Sequence, residues 1–189
     1  MLTDPVYADA LNAGRLPSAG TVIDIGCGRG FMLALLCEAS LFERLIGIES
    51  RSPTASIARA ALGDRAEIVD ADARTMSLMD CSAVILFDVL QMMPAPDQEA
   101  LLRVAREAAG PDGVILIREA DASAGWRFNL VRFGNAVKAR CIETSRERRH
   151  YRTRDQWLTC FERLGLAAEI CPSHGRNPLG NLLFRVHRT

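Results

Sequence analysis

The sequence predicts an α/β fold: a doubly wound, mostly parallel seven-stranded sheet with a C-terminal antiparallel hairpin. Three observations lead there. Short apolar runs alternate with helix-period segments along the whole chain, as expected of strands joined by crossover helices. The first run, Thr21 to Ile25, enters a glycine-rich turn, Gly26-Cys27-Gly28-Arg29-Gly30, and then a helical pattern, the usual opening of a doubly wound sheet. The last two runs are joined by CPSHGRNPLGN, which is too short for a helical crossover and so implies antiparallel pairing.

In chain order, an amphipathic helix is expected at 5–13, a strand at 21–25 and a helix at 30–39. Strands follow at 44–48 and 66–70, with a helix at 53–62 between them. Pro53 suits a first helical turn and Gly63 a helix end. The strand at 82–87 precedes a helix at 96–109, which Gly110-Pro111-Asp112-Gly113 stops before the strand at 113–118. Thr153 and Gln156 have the spacing of a capping box for a helix at 154–164. Strands at 166–171 and 181–187 complete the sheet.

The chain has 189 residues, 49% hydrophobic and 24% charged, which fits one domain spanning 1–189. Its formal net charge is zero, so no global field draws it to nucleic acid or to an anionic membrane. None of the six cysteines forms a C-x-x-C pair, which points to a reducing compartment rather than to zinc or disulfides. Asp4 and Pro5 interrupt the N-terminus before any signal-like apolar stretch, and no run approaches a membrane span. A soluble, cytoplasmic protein is expected.

The glycine turn carries the chemistry. Missing side chains let a bulky ligand approach the backbone. The spacing is G-x-G-x-G, with Phe31 where the G-x-G-x-x-G dinucleotide pattern sets its third glycine. Asp24, just ahead of the turn, would repel a pyrophosphate but attract an ammonium or sulfonium group. A second acid, Glu49, ends the second strand some 25 residues beyond Asp24, where doubly wound nucleotide sites place a carboxylate on the ribose hydroxyls. Glu49 could instead cap the helix that begins near Pro53.

With these residues, V-I-D-I-G-C-G-R-G resembles the first motif of class I S-adenosylmethionine-dependent methyltransferases of Rossmann-like fold. The resemblance covers four elements in order, roughly 100 residues. It implies a cofactor site made of Asp24, Gly26, Cys27, Gly28, Gly30, Glu49 and the adjoining Ser50. It also implies that Asp72 accepts from the adenine amino group, that Ala73 supplies a backbone donor, and that Asp88 and Val89 lie beside the methionine part. Asp70 could be a plain turn acid. The family's hydrophobic-Gly-Gly entry to the fifth strand is present only as Gly110-Pro111-Asp112-Gly113.

The implied activity is methyl transfer from S-adenosylmethionine, with S-adenosylhomocysteine as product and no metal. The acceptor would be a small molecule such as a hydroxyaryl compound or an acyl group on an acidic carrier protein. Asp88-Val89-Leu90-Gln91 stands where amine methylases of DNA carry N/D/S-P-P-Y/F, which argues against nucleic acid. Candidates for removing the acceptor's proton are Glu119 or Asp121, His150 and His174. Glu119 could instead pair with Arg118, and His174 sits in a polar loop. Residues 120–152 are basic and interleaved with Trp126, Phe128, Phe133 and Tyr151. They read as a helical lid over the pocket or as a solvated helix pair. Two other functions remain as alternatives: a catalytically inactive S-adenosylmethionine-binding protein would retain every motif, and an NAD(P)-dependent oxidoreductase shares the fold and Glu49 but is opposed by Asp24 and by the absent third glycine.

Overall fold

The computed structural model describes residues 5–11, 15–40, 42–125, 149–171 and 181–189. A short helix α1 (Pro5–Ala10) precedes β1 (Thr21–Ile25) and α2 (Phe31–Ala39). Next come β2 (Arg44–Glu49), α3 (Ser52–Leu62), β3 (Glu67–Asp70) and β4 (Ala83–Phe87). The chain continues through α4 (Ala95–Ala109), β5 (Val114–Ala120), α5 (Arg154–Arg163), β6 (Leu166–Ile170) and β7 (Asn181–Arg188). All seven strands join one sheet in the order β3-β2-β1-β4-β5-β7-β6. The first five run parallel, and β7 lies antiparallel between β5 and β6.

Period-two alternation sorts the apolar side chains onto two faces. Val22, Ala83, Ile85, Val114 and Leu116 pack with Leu33 and Leu36 of α2 and Ala58 and Leu62 of α3. Ile23, Val84, Leu86, Ile115 and Ile117 pack on the other face with Leu101 and Leu102 of α4 and Trp157 and Phe161 of α5. Trp157 stacks on Phe161 at 5.8 Å, and Phe161 meets Phe184 of β7 edge-on at 5.3 Å. Each large side chain so buried contributes about 1.5–3 kcal/mol. Gly47 interrupts the β2 pattern for steric reasons. A Cβ there would lie 2.6–2.9 Å from Leu33, Cys27 and Ile68, whose side chains already fill that space.

Two boundaries carry meaning. The β5 strand runs on to Ala120, beyond the expected end at 118, because β7 pairs with it as far as Ala120 opposite Asn181. Glu119 therefore lies inside the sheet. The Thr153 hydroxyl accepts from the Gln156 N–H and the Gln156 side chain accepts from the Thr153 N–H, completing the capping box of α5.

The chain leaves β5 and returns to α5 at one place. The Ala122 N–H donates to the Arg152 carbonyl at 3.1 Å, and Asp121 Oδ1 accepts from the Arg154 N–H at 3.1 Å. The interior of the expected lid, 126–148, and the loop 172–180 with His174 lie outside the described residues. Among the described residues, no helix is long and apolar enough to cross a membrane.

Candidate functional site

The strand order reverses at β1, which pairs with β2 on one side and β4 on the other, and open α/β sheets bind ligands at such a crevice, outside the carboxyl ends of the strands. The 24–30 turn fills this position. Gly26, Gly28 and Gly30 all have positive φ, 71°, 58° and 80°, a region that L side chains rarely enter. Their surroundings differ. A Cβ on Gly26 would overlap Val89 Cγ2, and one on Gly30 would lie 2.7 Å from Leu62 Cδ1. At Gly28 a Cβ would meet nothing within 4 Å. Two glycines thus admit neighbouring side chains, and only the middle one borders open space.

Around that opening stand two buried acids. Glu49 Oε2 accepts from the Gly28 N–H at 3.1 Å, while Oε1 accepts from the Arg51 N–H at 3.0 Å and from Arg51 Nε at 3.2 Å. Glu49 therefore supports both the glycine turn and the approach to α3. Asp24 is 3% exposed. Burial, followed by the nearby Glu49 charge, pushes its carboxyl up to about 8. The Cys27 thiol is also pushed up to about 12, by burial and then by the Asp24 and Glu49 charges, so it is a small apolar filler rather than a nucleophile. The Asp24 carboxyl, buried beside the Glu49 carboxylate with no counter-charge of its own among the described residues, favours a cationic guest.

At the end of β3 the arrangement is different. Ser50 is exposed, and Asp70 accepts from Ser52 Oγ at 3.1 Å. Ala73 is buried, and Asp72 caps the short helical turn 73–75 by accepting from the Arg74 N–H at 2.9 Å. Both Asp72 oxygens are also held by the Arg74 guanidinium, which reaches on to Asp97 of α4. That clasp keeps the Asp72 carboxyl below the usual carboxylate range.

The turn after β4 is made of long-range contacts. Asp88 has φ 60° without being glycine and pairs with Arg118 of β5, whose side chain is 7% exposed. Arg118 is thus the partner of Asp88 and lies 6.0 Å from the Tyr7 ring. Glu119, on the opposite face of β5, points its Oε1 at the N–H groups of Leu90 and Gln91, at 2.8 and 3.4 Å. Burial, with the Asp88 charge next, raises the Glu119 carboxyl well above its ordinary value. Asp121, by contrast, spends Oδ1 on the N–H groups of Ser123 and Arg154. His150 is half-buried, with its N–H on the Gln91 carbonyl at 2.8 Å.

Sequence reasoning missed Gln98. It is fully buried on α4, and its Nε2 donates toward the carbonyls of Leu90, Met93 and His150 while Oε1 accepts from Arg152 Nε at 2.7 Å. A signal existed: Gln98 precedes the buried Leu101, Leu102 and Ala105 in one helical stripe, so a polar residue stands in an apolar register.

A family model described as a methyltransferase domain matches residues 5–169. The carboxy-S-adenosyl-L-methionine synthase of Haemophilus ducreyi is 30% identical over 122 residues, 60% of this chain and 50% of that protein. The trans-aconitate 2-methyltransferase of an Azoarcus species is 33% identical over 110 residues, 58% of this chain and 43% of that protein. The chain spans about half the length of the curated relatives it matches. Among solved structures, mitomycin 7-O-methyltransferase MmcR superposes with a TM-score of 0.76 at 22% identity, covering 100% of this chain and 54% of the other. That likeness is one of fold.

Proposed function

The chain belongs to this family of methyltransferase domains, and on that premise we propose that it binds S-adenosylmethionine at the β1–β4 crevice and methylates a small molecule. The observation that carries the reading is the opening at Gly28, bordered by Asp24 and Glu49. These residues fit the cofactor: a backbone without a Cβ, a carboxylate for ribose hydroxyls, and an acidic corner for a cation. Asp24, Gly26, Cys27, Gly28, Gly30, Glu49 and Ser50 would form its cradle, with Asp72 and Ala73 at the adenine end and Asp88 and Val89 at the methionine end. When bound, the cofactor supplies an electrophilic methyl group on a sulfonium.

The protein's own contribution is alignment and exclusion of water. Asp24 balances the incoming positive charge. Val89, packed over Gly26, links the two turns. Glu119 holds the 90–92 turn in place through two backbone donors, and His150, at the rim, is the candidate for taking the acceptor's proton. A nicotinamide dinucleotide would bring its pyrophosphate against Asp24, and Phe31 stands where its pattern needs a third glycine, which disfavours that use of the crevice. The single domain would carry residues 120–152 as a lid whose base is the Ala122–Arg152 hydrogen bond.

Calorimetric titration tests the reading. Micromolar binding of S-adenosylmethionine and S-adenosylhomocysteine, with none of NAD or NADP, is expected. Nicotinamide binding without any response to the two sulfur compounds would refute it.

A further inference from the structure

One polar atom beside this crevice is unused by the fold. Gln91 is 3% exposed, and its Oε1 has no hydrogen-bond partner among the described residues. The amide nitrogen lies 3.4 Å from the Asp88 carbonyl, which fixes the amide's orientation: reversing it would set two oxygens face to face. The residue's main chain is already committed, its N–H toward Glu119 and its carbonyl to the His150 N–H. The side-chain oxygen alone remains.

A buried carbonyl without a donor is costly, and native folds keep few of them. Apolar packing in this turn is supplied by Leu90, which is fully buried, so the core does not need an amide at position 91. Gln91 lies two residues from Val89, which covers the glycine turn, and carries the hydrogen bond to His150 at the returning end of the 122–152 excursion. It stands between Val89, which packs on Gly26, and His150, at the start of the segment that leads into α5.

We propose that Gln91 Oε1 is a binding point for the methyl acceptor, accepting a hydrogen bond from an uncharged O–H or N–H of that molecule. The proposal rests on the methyltransferase reading for the identity of the guest. It carries a statement about acceptor class. A carboxylate offers no donor and would set its charge against a lone pair, so hydroxylated or amino compounds fit this corner better than carboxylates. An amide oxygen does not take up a proton at neutral pH, so Gln91 orients the group and leaves deprotonation to another base or to solvent. That favours acceptors whose proton is already labile, such as phenols.

The test uses Gln91→Leu in the full chain. Without ligand, the variant should melt within about 4 °C of the wild-type temperature, since it loses an unpartnered oxygen and one long contact, from Nε2 to the Asp88 carbonyl at 3.4 Å. A fall of more than about 4 °C, the scale of roughly 1 kcal/mol in a domain of this size, would mean that the oxygen has a partner within the fold and would overturn the proposal. Phenol serves as the donor probe and toluene as its match in shape, both followed by ligand-observed NMR with and without S-adenosylhomocysteine. Wild type should prefer phenol by about fivefold, the worth of one hydrogen bond, and the variant should lose that preference. No phenol binding, or the same preference in both proteins, overturns it. If wild type fails to bind S-adenosylhomocysteine but still distinguishes phenol from toluene, the methyltransferase reading falls and the Gln91 site stands.

Discussion

The turns after β1 and after β4 lie side by side at the crevice and are built in opposite ways. The first uses glycine wherever the backbone needs positive φ, and its hydrogen bonds come from the adjoining strand, through the Ile48 carbonyl and Glu49. The second places Asp88 at φ 60° and draws support from β5, α4 and the segment at 149–152. The conformation of the first is written in its own glycines. The other is encoded by residues up to 60 positions away, so its geometry depends on completion of the sheet.

The largest expected effect separates the glycines of the first turn. Gly30→Val should destabilise the protein by about 2–5 kcal/mol, combining a left-handed backbone with overpacking against Leu62. Gly28→Ala should cost only about 1–2 kcal/mol, the backbone share alone, while weakening cofactor binding more. Urea unfolding beside calorimetry checks both, and equal stability losses would erase the distinction between packing and ligand-facing glycines.

The second turn can be broken from β5. Glu119→Ala leaves two backbone donors without their acceptor and should cost about 2–4 kcal/mol. Glu119→Gln keeps an acceptor oxygen and should cost under about 1 kcal/mol. If the two variants unfold at the same denaturant concentration, Glu119 is not what holds the turn.

Glu49→Ala tests the first turn as a binding surface. Cofactor affinity should fall by about 1.5–3 kcal/mol, the worth of a charged hydrogen-bonding group, with the melting temperature recorded in parallel because Gly28 and Arg51 also lean on this carboxylate. Unchanged affinity would reduce Glu49 to a cap.

The most gradual effect is a pH slope, spread over several units rather than confined to one substitution. The folded value of Asp24, about 8, lies above the ordinary carboxylate value of 3.8, so the folded protein holds a proton that the unfolded chain releases. Its contribution to stability is present at low pH and is lost as pH rises from about 4 to about 8. A bound cation favours the ionised form, so binding should release a proton, and affinity should rise with pH by at most about tenfold per unit below 8. Calorimetry in buffers of different ionisation enthalpy measures that proton. Asp24→Asn should flatten the slope, and a wild-type affinity indifferent to pH would place the cation elsewhere.

What was legible in the sequence follows the same division. The seven-stranded sheet, its antiparallel C-terminal pair and the capping box at Thr153 depend on local pattern, and they were visible. So was the acid at Glu49, because the end of a strand is a local property. The Asp88–Arg118 pair, the grip of Glu119 on the 90–92 turn and the Gln98 hub were not. Each joins elements whose adjacency exists only after the sheet has formed. The clasp of Asp72 by Arg74 spans only two residues, yet an acid beside an arginine in a turn has no pattern that tells an internal ion pair from a ligand contact.

Strand β7 has a consequence for how the molecule is assembled. It is the last strand in the chain, yet it sits inside the sheet, bonded to β5 on one side and β6 on the other. On the ribosome, β5 therefore presents a bare hydrogen-bonding edge while about 60 further residues are synthesised, and β6 has no neighbour to dock on until residues 181–188 emerge. Exposed edges of this kind recruit other chains, and pairing across such separations is slow. The nascent protein should depend on chaperone shielding until residues 181–188 have emerged, and disruption of β7 should produce aggregates rather than a smaller, active domain.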